Sequence, residues 1–253
     1  MFSVLSRLCC TAAGDRDSLD MDVVAPRLDA IGLRALPDLA PFFVRPELAP
    51  ARRLSVPTGV GPLDALLGGG FPRGRISEIV GPRTSGRTSL LLRSLARATA
   101  QGGLGALVDA TDGFDPTSAH ATGVHLERLL WVRCGARLAT ALRAADIIVR
   151  GGGFSVVAVD LGDLPPWTLA RVPVAAFVRL QRAVEGTPTA LLFAGPRRVA
   201  GSMAAVAVAM GHGRVGWAPG GPGLLAGLTA EARLVRSRDR APGAGVRVTW
   251  QVR

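Results

Sequence analysis

The chain has 253 residues, is 48% hydrophobic and carries 30 arginines against 19 acids, a formal charge of +11, with no lysine, tyrosine or asparagine. That length and apolar content allow one large buried core or a core with an arm, and no apolar run approaches the roughly 18–20 residues of a membrane span. Cys9, Cys10 and Cys134 make no Cys/His spacing for zinc, no haem site is expected, and a start lacking a small-residue cleavage site fits a reducing, cytoplasmic location.

Residues 1–50 hold five arginines and seven acids, a net of −2, which leaves +13 on residues 51–253. With Pro26, Pro37, Pro41, Pro46 and Pro50, the first stretch reads as a Pro-rich N-terminal arm, and Pro41-Phe42-Phe43-Val44 is an apolar anchor for either a partner or its own core. The basic excess lies on the core domain, 51–253. It suits a polyanion such as nucleic acid, or it reflects a coding drift toward arginine.

Ser55–Gly61 reads as extended chain and turn, and Pro62–Leu67 as a short helix ended by Gly68-Gly69-Gly70. Apolar strand runs then alternate with helical periodicity. Strands are expected at Ile76–Val80, Leu104–Asp109, Leu129–Val132, Phe154–Asp160 and Thr189–Ala194. Helices are expected at Thr88–Thr99, Thr117–Val124, Leu138–Val149 and Trp167–Val184, the last interrupted at Pro173. Such alternation predicts an α/β fold, a mostly parallel twisted sheet flanked by helices. Ala230 to about Arg240 and Val246–Val252, joined through Ala241–Gly245, read as a C-terminal antiparallel hairpin.

Between the first core strand and its helix lies Gly81-Pro82-Arg83-Thr84-Ser85-Gly86-Arg87-Thr88-Ser89, a candidate phosphate-binding loop in every respect but one. Its glycines let backbone N–H groups wrap a phosphate at the positive end of the following helix. The position that calls for lysine is Arg87, which keeps the charge but replaces a compact ammonium with a flat, longer fork. Either the arginine drift reached this position or nucleotide hydrolysis is weak or absent.

Asp160 ends an apolar strand, where a P-loop protein holds Mg²⁺, and would pair with Thr88; the simpler alternative is an acid that starts a loop. Arg197 and Arg198 leave the next strand as candidate phosphate contacts. By strand alternation Arg236, Arg238 and Arg240 share one face, which makes either a DNA-binding or partner-binding stripe or a solvated edge.

The segments Arg52–Gly59, Leu63–Gly70 and Pro72–Gly81, followed by the phosphate loop, run in the order found in the RecA ATPase core, and Leu107–Pro116 resembles the segment that carries RecA's catalytic glutamate. Within that superfamily Leu126–Arg133 looks like the ImuA-type accessory proteins of SOS-induced mutagenesis. The resemblance covers about residues 52–253. It implies a RecA-like P-loop NTPase core with ATP and Mg²⁺ as ligands. The implied partners are RecA, an ImuB-type Y-family homologue and an error-prone polymerase, with single-stranded DNA as a further candidate.

The departures bear on chemistry. Thr111 stands where RecA has its water-activating glutamate, with Asp112 one residue along as the sole candidate base, and Phe193-Ala194-Gly195 stands where RecA has a sensor glutamine. The DNA-gripping loops are shortened to Asp163–Pro166 and Gly195–Ser202. The expected function is a non-catalytic or weakly catalytic accessory protein in DNA damage tolerance and translesion synthesis. An active DNA-dependent ATPase is the alternative.

Overall fold

Five strand runs stacked side by side form one side of a nine-stranded sheet, out to its edge, seen in a computed structural model described over residues 55–218 and 223–251. The N-terminal arm and its Pro41–Val44 anchor lie outside the described residues. The short pair β1 (Ser55–Val56) and β2 (Phe71–Pro72) flanks helix α1 (Gly61–Leu67). Next come β3 (Ile76–Val80), α2 (Arg87–Ala100), β4 (Leu104–Asp109), α3 (Pro116–Ala121), β5 (Leu129–Arg133), α4 (Leu138–Gly151) and β6 (Phe154–Asp160). The chain continues through α5 (Pro166–Ala170), α6 (Val174–Val184), β7 (Ala190–Gly195), β8 (Ala204–Met210), β9 (Arg214–Trp217), β10 (Leu225–Ser237) and β11 (Gly245–Gln251).

The sheet order is β11-β10-β8-β3-β7-β6-β4-β5, with β9 beside β10. Pairs among β3 to β8 are parallel, and β8–β10, β10–β11 and β9–β10 are antiparallel. Parallel strands are covered on both faces, which is why most of their residues are apolar, with Ser77 and Glu78 of β3 as buried polar exceptions. One apolar cluster packs α2, through Leu90, Leu91 and Leu95, on one face of the sheet. A second packs α4 and α6 on the other, where Phe177 meets Phe193 edge-on with ring centroids 5.4 Å apart.

The C-terminal hairpin forms as expected, with Glu231 opposite Arg247. Two strands of the nine-stranded sheet went unread in the sequence. β8 is the alanine-rich run Ala204-Ala205-Val206-Ala207-Val208-Ala209-Met210, poor in the bulky residues that signal a strand. β9 is four residues long and wholly exposed, so it has no buried face to impose alternation. The long helix expected at Trp167–Val184 is two helices, because Pro173 ends the first segment and caps the second.

A carboxylate lies in the sheet centre. Glu78 of β3 is fully buried, and Oε1 accepts hydrogen bonds from the backbone N–H groups of Val199 (2.6 Å) and Ala200 (2.8 Å). Oε2 pairs with Arg198 Nε at 3.1 Å. This cluster fastens the segment after β7 to the strand that leads into the phosphate loop. Among the described residues no helix is long and apolar enough to cross a membrane.

Candidate functional site

The C-terminal ends of β3, β4 and β6 converge, as binding sites do in open α/β sheets. After Val80 the chain turns through Gly81–Gly86 and enters α2 at Arg87. Gly81 N–H bonds the Gly195 carbonyl at 3.2 Å, and a Cβ on Gly81 would fall 2.7 Å from the Met210 carbonyl oxygen. Gly86 sits at φ +82°, where a side chain is strained, and its Cβ would lie 2.6 Å from the Trp250 ring. The sheet's last strand therefore presses an indole against the back of the loop. That packing had no signal in the sequence, since Trp250 lies 164 positions away from Gly86 and only folding brings them together.

Arg87 decides the character of the site. Its side chain is almost wholly buried, and Nη1 donates to the Gly81 carbonyl at 2.6 Å. Nη2 donates to the Gly162 carbonyl at 2.7 Å and to Asp163 Oδ1 at 2.5 Å. Arg83, at the loop's exposed shoulder, pairs with Asp163 Oδ2 at 3.2 Å. Asp163 was read only as part of a shortened loop, although its place three residues past Asp160 was a usable signal.

These groups line a cleft of about 380 Å³ that also holds Thr88, Thr111, Asp160 and Gly162. Of the phosphate-loop residues, Arg83, Arg87 and Thr88 reach it, while Gly81, Pro82, Thr84, Ser85 and Gly86 form the turn around it and Ser89 lies in the first turn of α2. A larger open hollow of about 640 Å³ lies between α1 and α2, with Arg93 and Arg97 on its wall. The smaller cleft is the better candidate because charged groups from two separate segments converge there, beside Thr111 from a third.

Sequence had left Asp112 as the candidate base. Its carboxylate instead pairs with Arg133 of β5, both contacts being 3.2 Å, and it does not line the cleft. The residue sits at φ +58°, which turns it outward. Thr111 faces the cleft in its place and packs on Gly162. Asp109, buried at the end of β4, shapes this turn by accepting the N–H groups of Thr111, Gly113 and Phe114.

Asp160 and Thr88 do line one cleft, as their pairing for Mg²⁺ requires. Burial is the main force holding the Asp160 carboxyl above its ordinary value of 3.8, opposed by the Gly162 N–H that it accepts at 2.8 Å; the charges of Asp109 and Asp163 raise it further and Arg87 lowers it. The folded chain thus binds this proton more tightly than the unfolded chain. Stability from this group is present below the ordinary value and lost as pH rises through the elevated one. Asp160→Asn is therefore expected to melt higher than wild type at pH 7, with the gain vanishing toward pH 4. Equal destabilisation at both pH values, read by thermal denaturation, would refute this.

ATP with Mg²⁺ is the ligand the loop suggests, and the fit is incomplete. The turn and the start of α2 suit a phosphate, and Ser85 Oγ is buried without a hydrogen-bond partner among the described residues. Yet the guanidinium that should meet the phosphate is engaged with two carbonyls and a carboxylate, and Thr111 lines the cleft where the RecA resemblance places the base. In this arrangement a triphosphate would have to displace bonds that now hold Arg87.

The expected arginine stripe does not form. A bulge between Leu234 and Arg236 breaks the alternation, and β10 ends at Ser237, ahead of Arg238 and Arg240. Arg236 donates to the carbonyls of Ala204 and Ser202, Arg240 lies over Gly68 with a 3.5 Å contact to the Ala65 carbonyl, and Arg238 is exposed. Arg198 is committed to Glu78, whereas Arg197 beside it is exposed. Among the described residues no group of three or more His, Cys, Asp or Glu could hold a metal.

Residues 51–166 match the RecA N-terminal domain. The RecA protein of Methylococcus capsulatus (strain Bath) is 38% identical over 163 residues, covering 58% of this chain and 47% of that protein. The RecA protein of Rubrobacter xylanophilus is 47% identical over 107 residues, covering 42% of this chain and 31% of that protein. The chain thus spans about half the length, or less, of the curated relatives it matches. A crystal structure of the RadB recombinase aligns with a TM-score of 0.56 at 19% identity, covering 76% of this chain and 94% of that one. That likeness is one of fold.

Proposed function

We propose that this RecA-fold chain is a non-catalytic or feebly catalytic accessory protein in DNA damage tolerance, acting in the cytoplasm through protein and DNA contacts. The observation that carries the reading is the engagement of Arg87 by Gly81, Gly162 and Asp163, in a cleft whose base position is threonine. Catalysis of phosphoryl transfer depends on positioned charge and an oriented nucleophile, and here the cationic group is bound to the protein itself. The ImuA-type likeness of Leu126–Arg133 supplies the finer part of the reading. Its partners would be RecA, an ImuB-type polymerase homologue and, through it, an error-prone polymerase, with exposed Arg197 and Arg238 as contacts for single-stranded DNA.

The test is ATP turnover by the full chain with Mg²⁺, with and without single-stranded DNA, beside a binding titration against RecA. Turnover is expected far below the roughly 1–1,000 per second of ordinary enzymes, with Asp112→Ala no different from wild type, and RecA binding is expected without added nucleotide. The rival, a DNA-dependent ATPase, draws support from Thr88 and Asp160 sharing the cleft. DNA-stimulated turnover within the ordinary range that collapses in Asp112→Ala and Asp160→Ala would establish that rival and overturn the accessory reading.

A further inference from the structure

Asp163 is held as a bound anion would be. One carboxylate oxygen takes the buried Arg87 guanidinium at 2.5 Å and the other takes the exposed Arg83 at 3.2 Å, so a single carboxylate collects both cationic groups at the mouth of the phosphate loop. Charge-assisted pairs of this kind are the stronger hydrogen bonds of proteins, and arginine's fork suits carboxylate and phosphate alike. The carboxylate is also displaceable. Its side chain is 41% exposed, and it stands in the short connection between β6 and the five-residue α5, bounded by Gly162 at φ +53° and by Pro165.

We infer that Asp163 is an internal stand-in for a ligand phosphate: a phosphate-class anion enters this cleft only by displacing the Asp163 carboxylate from Arg83 and Arg87. The inference rests on the reading of a weakly catalytic cleft and adds what keeps it closed. Displacement frees donors on both arginines for the incoming oxygens and leaves the Asp163 carboxylate to water. The ligand must overcome both the existing ion pairs and the negative charge of Asp160 and Asp163, so wild-type affinity is low. Removing the Asp163 charge removes the competitor and one of the repelling groups together.

The experiment is isothermal titration of the full chain with sodium tripolyphosphate, with ATP, and with a single-stranded oligonucleotide, in wild type, Asp163→Asn and Asp163→Glu. Melting temperatures would check that each variant folds. Asp163→Asn is expected to bind tripolyphosphate at least about tenfold tighter than wild type, while Asp163→Glu, which keeps the charge, stays near wild type. An equal gain for ATP marks a terminal phosphate as the ligand group, and a gain for the oligonucleotide as well marks a backbone phosphate; both support displacement. Unchanged, weaker or undetectable binding in Asp163→Asn overturns it, as does an equal gain in Asp163→Glu. These outcomes do not depend on turnover, so a failure here is distinct from a failure of the accessory reading.

Discussion

Replacing Glu78 with alanine is expected to remove about 3–5 kcal/mol of stability, because it breaks a buried charge cluster from one side only. Its carboxylate is fully buried and takes three donors: the N–H groups of Val199 and Ala200 and the Arg198 guanidinium. Without it, two backbone donors at the start of the turn after β7 lose their acceptor, and Arg198 keeps only the Gly201 carbonyl. In a chain of this size the loss corresponds to a melting temperature lower by roughly 6–20 °C. Val199 and Ala200 follow Arg197, so the same variant should loosen the loop that carries this candidate DNA contact. Thermal and urea denaturation would measure the effect, and a loss below about 1 kcal/mol would mean that the donors find water instead.

The second large effect is expected at Arg87. In Arg87→Ala the Gly81 carbonyl loses its guanidinium donor inside the loop, the Gly162 carbonyl is freed, and Asp163 retains Arg83 alone. Hydrogen bonds to charged groups contribute about 1.5–3 kcal/mol each, but Asp163 is partly solvated, which discounts its share. A net destabilisation of about 2–4 kcal/mol is expected by urea titration. Arg87→Lys separates structure from drift. An ammonium cannot span Gly81, Gly162 and Asp163 with the geometry of a fork, so the lysine variant is expected to be less stable than wild type. A lysine variant as stable as wild type would show the arginine to be an interchangeable cation and weaken the case for a fastened site.

The parallel strands were legible for a simple reason. Residues 156–159 and 191–194 are buried on both faces and every one of them is apolar, so the strands around them announce themselves. The phosphate loop was equally legible, since its shape depends on glycines at set spacings next to a strand and a helix. β8 hid behind alanine, which serves helix and strand alike. The arginine stripe failed because alternation assumes an unbroken strand, and one bulged residue together with the end of β10 at Ser237 removed that premise.

By itself the sequence determined the layered α/β architecture, the position of the phosphate loop and the residue types available to it, because those follow from local periodicity and from backbone needs that only glycine meets. Tertiary structure alone decided what those residues do. Arg87 meets Asp163 across 76 positions, Glu78 meets Val199 across 121, and Asp112 turns to Arg133 rather than to the cleft. Each choice is a competition among distant partners for one charged group, settled by which of them the folded sheet brings within hydrogen-bonding distance.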